Sequence, residues 1–365
     1  MLPTTLLSPY SMRNLALANR AVMAPMTRSR AVDANTLNTP NALMAEYYGQ
    51  RASAGLIITE GTTPSANGLG YPRIPGLFNA AQVAGWKLTT DAVHAKGGKI
   101  FIQFMHTGRV THAANLPAGA EVIGPTDEIC PGEMYTDSKG MQPHSQPRAM
   151  TQTDIDHAVN EYANAAKLAI EAGFDGVELH AANGYLIEQF LNANVNTRTD
   201  GYGGSIAARN RFALEVARAT VAAIGAERVG IRLSPYGVFN TTGTYPEQEA
   251  QYLALVKELS ALKLAYLHVL DHSGMGAPPV PAAFKLALRH AFDGPFILAG
   301  GFDAASAQAA LDEGQADMIA FARAFLANPD LISRMQKDAA LNAPDMSTFY
   351  TPGAKGYTDY PALPG

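Results

Sequence analysis

The sequence predicts a single (β/α)8 barrel of the α/β class, and three observations carry that prediction. Eight short apolar runs recur along the chain, each ending in polar or glycine-rich residues. Segments with a 3.6-residue apolar period separate them. No composition break or Pro/Ser-rich linker interrupts the alternation, so residues 1–365 read as one domain although length alone would allow two. A doubly wound sheet is the competing fold, but no G-x-G-x-x-G follows any of the eight runs.

The strand candidates, in order, are Ala21–Met26, Gly55–Glu60, Lys99–Met105, Asp175–His180, Val229–Ser234, Ala265–Leu270, Pro295–Gly300 and Asp317–Phe321. Between them, Asp154 to Gly173 sets Ile155, Val159, Tyr162, Ala166, Ala169 and Ile170 on one stripe. Ile206 to Gly225 does the same with Phe212, Val216, Ala219 and Ala223, and Glu247 to Leu264 with Tyr252, Val256 and Leu259. Thr153 or Asp154 and Ser205 are the expected N-caps, and Gly173 and Gly225 the stop signals. The stretch 112–150 breaks the pattern: it is long, rich in Pro and Gly, and follows the third strand. It reads as a lid-like insertion at the top of the barrel.

Composition narrows the function classes. Only 16% of residues are charged while 47% are hydrophobic, which suits a large buried core and excludes disorder. One cysteine, Cys130, cannot build a disulfide, an iron–sulfur cluster or a cysteine zinc site, so any redox work needs a bound cofactor. The net charge of −5 comes without a basic run, which argues against nucleic acid or an anionic membrane as partner. The N-terminus lacks a charged region followed by a long apolar core, and no stretch reaches membrane-spanning length. The expectation is a cytoplasmic protein with no metal site, since His106 and His112 match no ligand spacing.

Barrel enzymes place their chemistry where strands end. The ends here are Ala24-Pro25-Met26-Thr27-Arg28, Thr59-Glu60-Gly61, Gln103 with His106, His180-Ala-Ala-Asn183-Gly-Tyr185, Arg232 before Ser234, Gly300-Gly301, and Arg323. The Gly-Gly turn before a helix starting near Asp303, together with Arg323, matches the phosphate site that barrels build after strands seven and eight; a plain turn and a surface cation is the alternative. Arg232 is either a cofactor contact or half of an ion pair with Glu178, which shares the side of its strand with His180. Gln103, inside an apolar strand, must satisfy a buried amide, and a flavin's pyrimidine edge would do so. His180 and Asn183 can aim two donors at one carbonyl oxygen. Tyr185, with an ordinary phenol pKa of about 10, can deliver a proton to a carbanion.

The run His180-Ala-Ala-Asn-Gly-Tyr-Leu-Ile-Glu-Gln-Phe-Leu191, followed by Asn196-Thr-Arg-Thr-Asp-Gly-Tyr-Gly-Gly-Ser205, closely resembles the old yellow enzyme family of FMN-dependent ene-reductases. Ala24-Pro-Met-Thr-Arg28, Gly230-Ile-Arg-Leu-Ser-Pro235, Ala327-Asn-Pro-Asp-Leu331 and Gly356-Tyr-Thr-Asp-Tyr-Pro361 are similar to it as well, so the likeness runs from near residue 10 to the last residues. The resemblance implies that Pro25, Met26 and Thr27 lie against a flavin ring, that Gly61 approaches it by its backbone, and that Gln103 and Arg232 hold its pyrimidine end. It assigns Ala299, Gly300, Ala322 and Arg323 to the phosphate, His180 and Asn183 to the substrate oxygen, Tyr185 to proton donation, and Tyr71 and Tyr350 to the pocket wall. The implied reaction is ping-pong: NADPH or NADH reduces FMN and leaves, then an α,β-unsaturated carbonyl, nitroalkene or maleimide takes hydride from flavin N5 and a proton from Tyr185. Met105 and Ala322 depart from the residues common at their positions in the family.

Three other readings stay open at this level. One is another FMN barrel oxidoreductase of the dienoyl-CoA reductase type, which a single cysteine disfavours. Another is a flavin-free phosphate-binding aldolase or isomerase. The third is a flavin-binding protein without turnover.

Overall fold

Every one of the eight apolar runs becomes a barrel strand in the computed structural model, which describes residues 4–31 and 38–364. The strands are β1 Ala21–Met23, β2 Leu56–Thr62, β3 Ile100–Phe104, β4 Gly176–Ala181, β5 Val229–Leu233, β6 Tyr266–Leu270, β7 Phe296–Ala299 and β8 Met318–Phe321. They pair in parallel in chain order, and β8 closes on β1 through Ile319 and Ala21. Because both faces of such a sheet are covered, the strands carry near-continuous apolar runs and not an alternating pattern. β1 stops three residues short of its expected end, where Pro25 has no N–H to give the ladder.

The barrel's lower interior is filled by Val22, Leu56, Ile58, Phe101, Tyr266, Ile297 and Met318. Met12 and Leu17, from the antiparallel hairpin Tyr10–Met12 and Leu15–Leu17, plug it from below. Outside runs a ring of helices: α1 Ala42–Gln50, α2 Ala80–His94, α3 Gln152–Glu171, the short α4 Leu186–Leu191, α5 Ile206–Ile224, α6 Gln248–Ala261, α7 Ala282–Ala291, α8 Ala304–Asp312, α9 Arg323–Ala327 and α10 Leu331–Lys337. Trp86, Ile155 and Phe212 are fully buried between helices and sheet, and each such side chain stabilises the packing by about 1.5–3 kcal/mol. No helix among the described residues is long and apolar enough to cross a membrane.

The helix signals need one correction. α3 is capped by Thr151, not by Thr153 or Asp154; Asp154 sits at the third helical position and closes a capping box back onto Thr151. Ser205 caps α5 as expected, and Gly225 ends it at φ 90°. The stripe on α5 is also rotated slightly, since Ala213, Ala217 and Thr220 are buried while Ala219 and Ala223 are partly exposed.

The insertion after β3 is folded. It holds a single turn at Ala113–Asn115, a two-residue pairing of Ile123–Gly124 with Arg148–Ala149, and a hairpin of Glu133–Thr136 with Gly140–Pro143.

Candidate active site

Strand register builds the floor of the barrel mouth. Gly61 stands opposite Gln103, and Gln103 opposite Glu178. One level on, His180, Arg232 and His268 lie side by side on β4, β5 and β6. Paired residues of parallel neighbours point the same way, so the apolar lower core gives way to a buried polar layer. Glu178 is its centre. Gln103 Nε2 donates to its Oε1 at 2.8 Å, and His268 Nδ1 lies 2.8 Å from its Oε2. Glu178 also attracts Arg232, and these partners hold its carboxyl below the usual carboxylate range despite complete burial. The Gln103 amide is therefore partly satisfied within the protein. Arg232 Nε is buried with no hydrogen-bond partner among the described residues.

At the end of β4 the chain makes a left-handed turn, with φ 60° at Asn183 and 74° at Gly184. A Cβ on Gly184 would stand 2.7 Å from the Phe239 carbonyl oxygen, so the close approach requires glycine there. The turn sets Asn183 Nδ2 at 3.4 Å from His180 Nε2. His180 is neutral, because burial and then the Arg232 charge push its pKa well below the ordinary value. Its Nδ1 accepts from the Ala182 N–H at 3.2 Å, so the ring proton sits on Nε2. Two N–H donors thus converge on one point, as recognition of a single acceptor oxygen requires.

Tyr185 follows on the same turn, its ring edge-on to His180 with centroids 5.0 Å apart. Burial pushes its phenol up to about 12, so it is protonated at neutral pH. Its oxygen lies 3.0 Å from that of Tyr71, whose own pKa burial raises well above the ordinary value. The insertion closes this wall: Cys130 and Met134 pack against Tyr71 and Tyr185. Cys130 thus lies beside the tyrosines, and burial pushes its thiol up, away from the reactive thiolate. Met105 is buried against Leu69, Ile74, Tyr71 and Tyr185, with its sulfur pressed on Gly61. The departure at this position thus backs the tyrosine pair.

Arg73 joins three segments here. It ion-pairs with Asp137 of the hairpin turn and donates to the Tyr350 carbonyl oxygen at 2.9 Å. The tail bearing Tyr350 is fastened by Arg28 to Gly356 O (2.7 Å) and by Arg30 to Thr348 O (2.8 Å) and Phe349 O (2.7 Å). The Arg28 N–H also donates to Glu60 at 3.1 Å, which pins the Pro25–Thr27 segment over the end of β2. Thr27 is left half-buried, and its hydroxyl makes no hydrogen bond among the described residues.

Across the mouth, β7 and β8 end in a more open rim. Ala299 is buried, but Gly301, Ala322 and Arg323 are exposed. Gly300 and Gly301 have φ of 129° and 71°, and Asp303 caps α8 just beyond. Arg323 opens α9, which is held in place by buried Arg51 donating to Phe325 O and Leu326 O at 2.8 and 2.7 Å. Arg323 pairs with no carboxylate among the described residues. A separate cleft of about 690 Å3, at the N-terminal ends of β1 to β3 and lined by Asn19, Ser53 and Lys99, holds none of these groups.

Comparison with known proteins decides the family. The sequence pattern of the NADH:flavin oxidoreductase / NADH oxidase family matches residues 5–342. The chain belongs to this family. It is 42% identical over 380 residues to 12-oxophytodienoate reductase 7 of Oryza sativa subsp. japonica, covering 98% of this chain and 94% of that one. A probable flavin mononucleotide-dependent alkene reductase of Leishmania infantum is 42% identical over 364 residues, covering 98% and 97%. Among solved structures, morphinone reductase superposes with a TM-score of 0.93 at 46% identity, covering 98% of this chain and 96% of the other. Morphinone reductase in complex with tetrahydroNAD matches at 0.92 and 45%, covering 98% of each.

As a member of the flavin oxidoreductase family, the chain takes FMN as cofactor and a nicotinamide as reductant, and the residues present fit that group. Arg232 Nε and the Thr27 hydroxyl are free to bind it, a side-chain-free Gly-Gly turn lies at one end, and the unpaired Arg323 suits a phosphate. The strand-end residues singled out from the sequence lie around one mouth, while Tyr350 is 61% exposed. Sequence reasoning missed His268 and the residues that hold the Asn183 turn, namely Glu188, Ser234 and Asn240. His268 shares strand parity with Tyr266 inside an apolar run, a signal as legible as that of Gln103.

Proposed function

We propose that the chain reduces the activated C=C bond of α,β-unsaturated carbonyls, nitroalkenes or maleimides, drawing hydride from NADPH or NADH in alternating half-reactions at one site. The observation that carries this reading is the pair of converging donors, His180 Nε2 and Asn183 Nδ2, on the same turn as a protonated phenol. Bound FMN supplies the hydride. Pro25, Met26, Thr27 and Gly61 would border its ring, Gln103 and Arg232 its pyrimidine end, and Ala299, Gly300, Ala322 and Arg323 its phosphate.

The protein's own groups do the rest. His180 and Asn183 bind the substrate's activating oxygen and stabilise the negative charge that grows there as the bond is reduced. Tyr185 Oη gives its proton to the α-carbon. A buried phenolate is costly, and Tyr71 Oη lowers that cost by donating to the Tyr185 oxygen as it loses its proton. Tyr71, Tyr350 and the 112–150 insertion enclose the substrate, the insertion acting as a lid whose hairpin turn is fastened by the Arg73–Asp137 pair. The domain is the whole chain, and a cytoplasmic location suits its one unpaired thiol.

The test is anaerobic rapid mixing of the purified holoenzyme with NADPH or NADH, followed by cyclohexenone, a nitroalkene and a maleimide. Flavin bleaching by nicotinamide and its return with each alkene are expected. A protein without a visible flavin spectrum, or one that no alkene reoxidises, would refute the reading.

A further inference from the structure

Two successive residues with positive φ, Asn183 and Gly184, carry the donor pair and aim Tyr185. A non-glycine residue in that region persists only when its surroundings over-determine it. Here all four backbone polar groups of the two residues are bonded, and every partner is a side chain. Asn183 N–H donates to Ser234 Oγ at 2.9 Å, and Asn183 O accepts from Asn240 Nδ2 at 2.7 Å. Gly184 N–H donates to Glu188 Oε2 at 2.6 Å, and Gly184 O accepts from Gln189 Nε2 at 2.8 Å.

Glu188 is the hub of this set. Only 1% of it is exposed. Besides the Gly184 amide it accepts from the Tyr252 hydroxyl of α6 at 3.0 Å and from the Ser234 hydroxyl at 3.2 Å, and Ser234 is the group that receives Asn183 N–H. One carboxylate therefore holds Gly184 directly and Asn183 through one hydroxyl. No cation pairs with it among the described residues, so burial of its charge is offset by hydrogen bonds alone.

We infer that Glu188 is a positioning residue, whose ionised carboxylate fixes the turn that aims Asn183 at the substrate oxygen and Tyr185 at the α-carbon. The inference rests on the ene-reductase reading for its consequences in turnover. Protonation removes one acceptor while three donors still compete for the group, so the grip on Gly184 slackens. Burial pushes Glu188 up to about 7, which puts that slackening near neutral pH. Tyr252 and Tyr245, the titratable groups facing it from α6 and the loop before it, are both raised further from neutrality by burial. Arg209, which acts on Tyr245, is paired with Glu247 at 2.8 Å.

The experiment compares Glu188→Ala and Glu188→Gln with the parent holoenzyme, by amide hydrogen exchange and by alkene-driven flavin reoxidation from pH 6 to 8. In Glu188→Ala, faster exchange confined to 182–191 and reoxidation slowed on the order of tenfold to hundredfold are expected, as for a small misplacement of reacting groups. Glu188→Gln, isosteric with the protonated acid, is expected to react at a slowed rate near the parent's low-pH limit and to lose the parent's decline below pH 7. Parent-like reoxidation in Glu188→Ala, exchange that rises throughout the barrel, or a pH profile in Glu188→Gln equal to the parent's would each overturn the inference. If the parent itself reduces no alkene, the ene-reductase reading fails, and the exchange at 182–191 alone decides whether Glu188 holds the turn.

Discussion

The two halves of the barrel mouth are built on opposite principles. Around β4 and β5, His180, Asn183 and Tyr185 sit on a strained turn whose two positive-φ residues, Asn183 and Gly184, have every backbone polar group bonded by a side chain. Around β7 and β8, Gly301, Ala322 and Arg323 are exposed and Arg323 has no partner among the described residues. The first half is rigid before any ligand arrives, which is what stabilising a transient charge requires, because reorganisation would consume the gain. The second half leaves a cation unpaired for a permanent anion, whose arrival supplies the missing partner. Reaction chemistry and cofactor retention should therefore be separable by mutation.

The largest expected separation comes from the donor pair. Asn183→Ala combined with His180→Ala should slow alkene-driven reoxidation by roughly 10² to 10³ while FMN stays bound, as followed by rapid mixing and by flavin content after gel filtration. Arg323→Ala should do the reverse. One charge-assisted hydrogen bond contributes about 1.5–3 kcal/mol, so FMN should dissociate on the order of tenfold to a hundredfold more readily, by fluorescence titration of apoprotein. A fully flavinated variant would erase the contrast between the halves. Tyr71→Phe should cost only about fivefold in alkene turnover, because it removes one neutral hydrogen bond of about 1 kcal/mol from a proton donor that remains.

The smallest effect concerns stability. Burial raises Glu60 to about 7, above the ordinary carboxylate value. Its contribution to folding is fully present below that ordinary value and is lost as pH rises through 7. Glu60→Gln should thus gain stability relative to the parent between pH 5 and pH 8, read as a rising difference in urea midpoint. A difference that does not change with pH would show that Glu60 is held ionised throughout.

The eight strands and the mouth residues were legible because each barrel strand is a short apolar run that stops where chemistry begins. Gln103, Arg232 and His180 stand out as polar groups in such runs. Glu188 does not, since a glutamate in the first turn of a helix is ordinary and only the tertiary fold brings Ser234 and Tyr252 to it. That Cys130 packs beside Tyr71 and Tyr185 is likewise invisible in the sequence, because distance along the chain says nothing about how an insertion folds back over the barrel. Thr151 was overlooked as a cap because Thr153 and Asp154 lie as close to the same apolar stripe, and only backbone geometry chooses among them.

The account's central claim is that the rigid half delivers a proton from Tyr185, and one measurement addresses it most directly. Tyr185→Phe holoenzyme, reduced anaerobically with NADPH, is mixed with cyclohexenone and the return of flavin absorbance is timed against the parent. Full flavin content, parent-like bleaching by NADPH and reoxidation slower by about 10² or more are the predicted result, the range expected for loss of a positioned general acid. Reoxidation at the parent rate would contradict it.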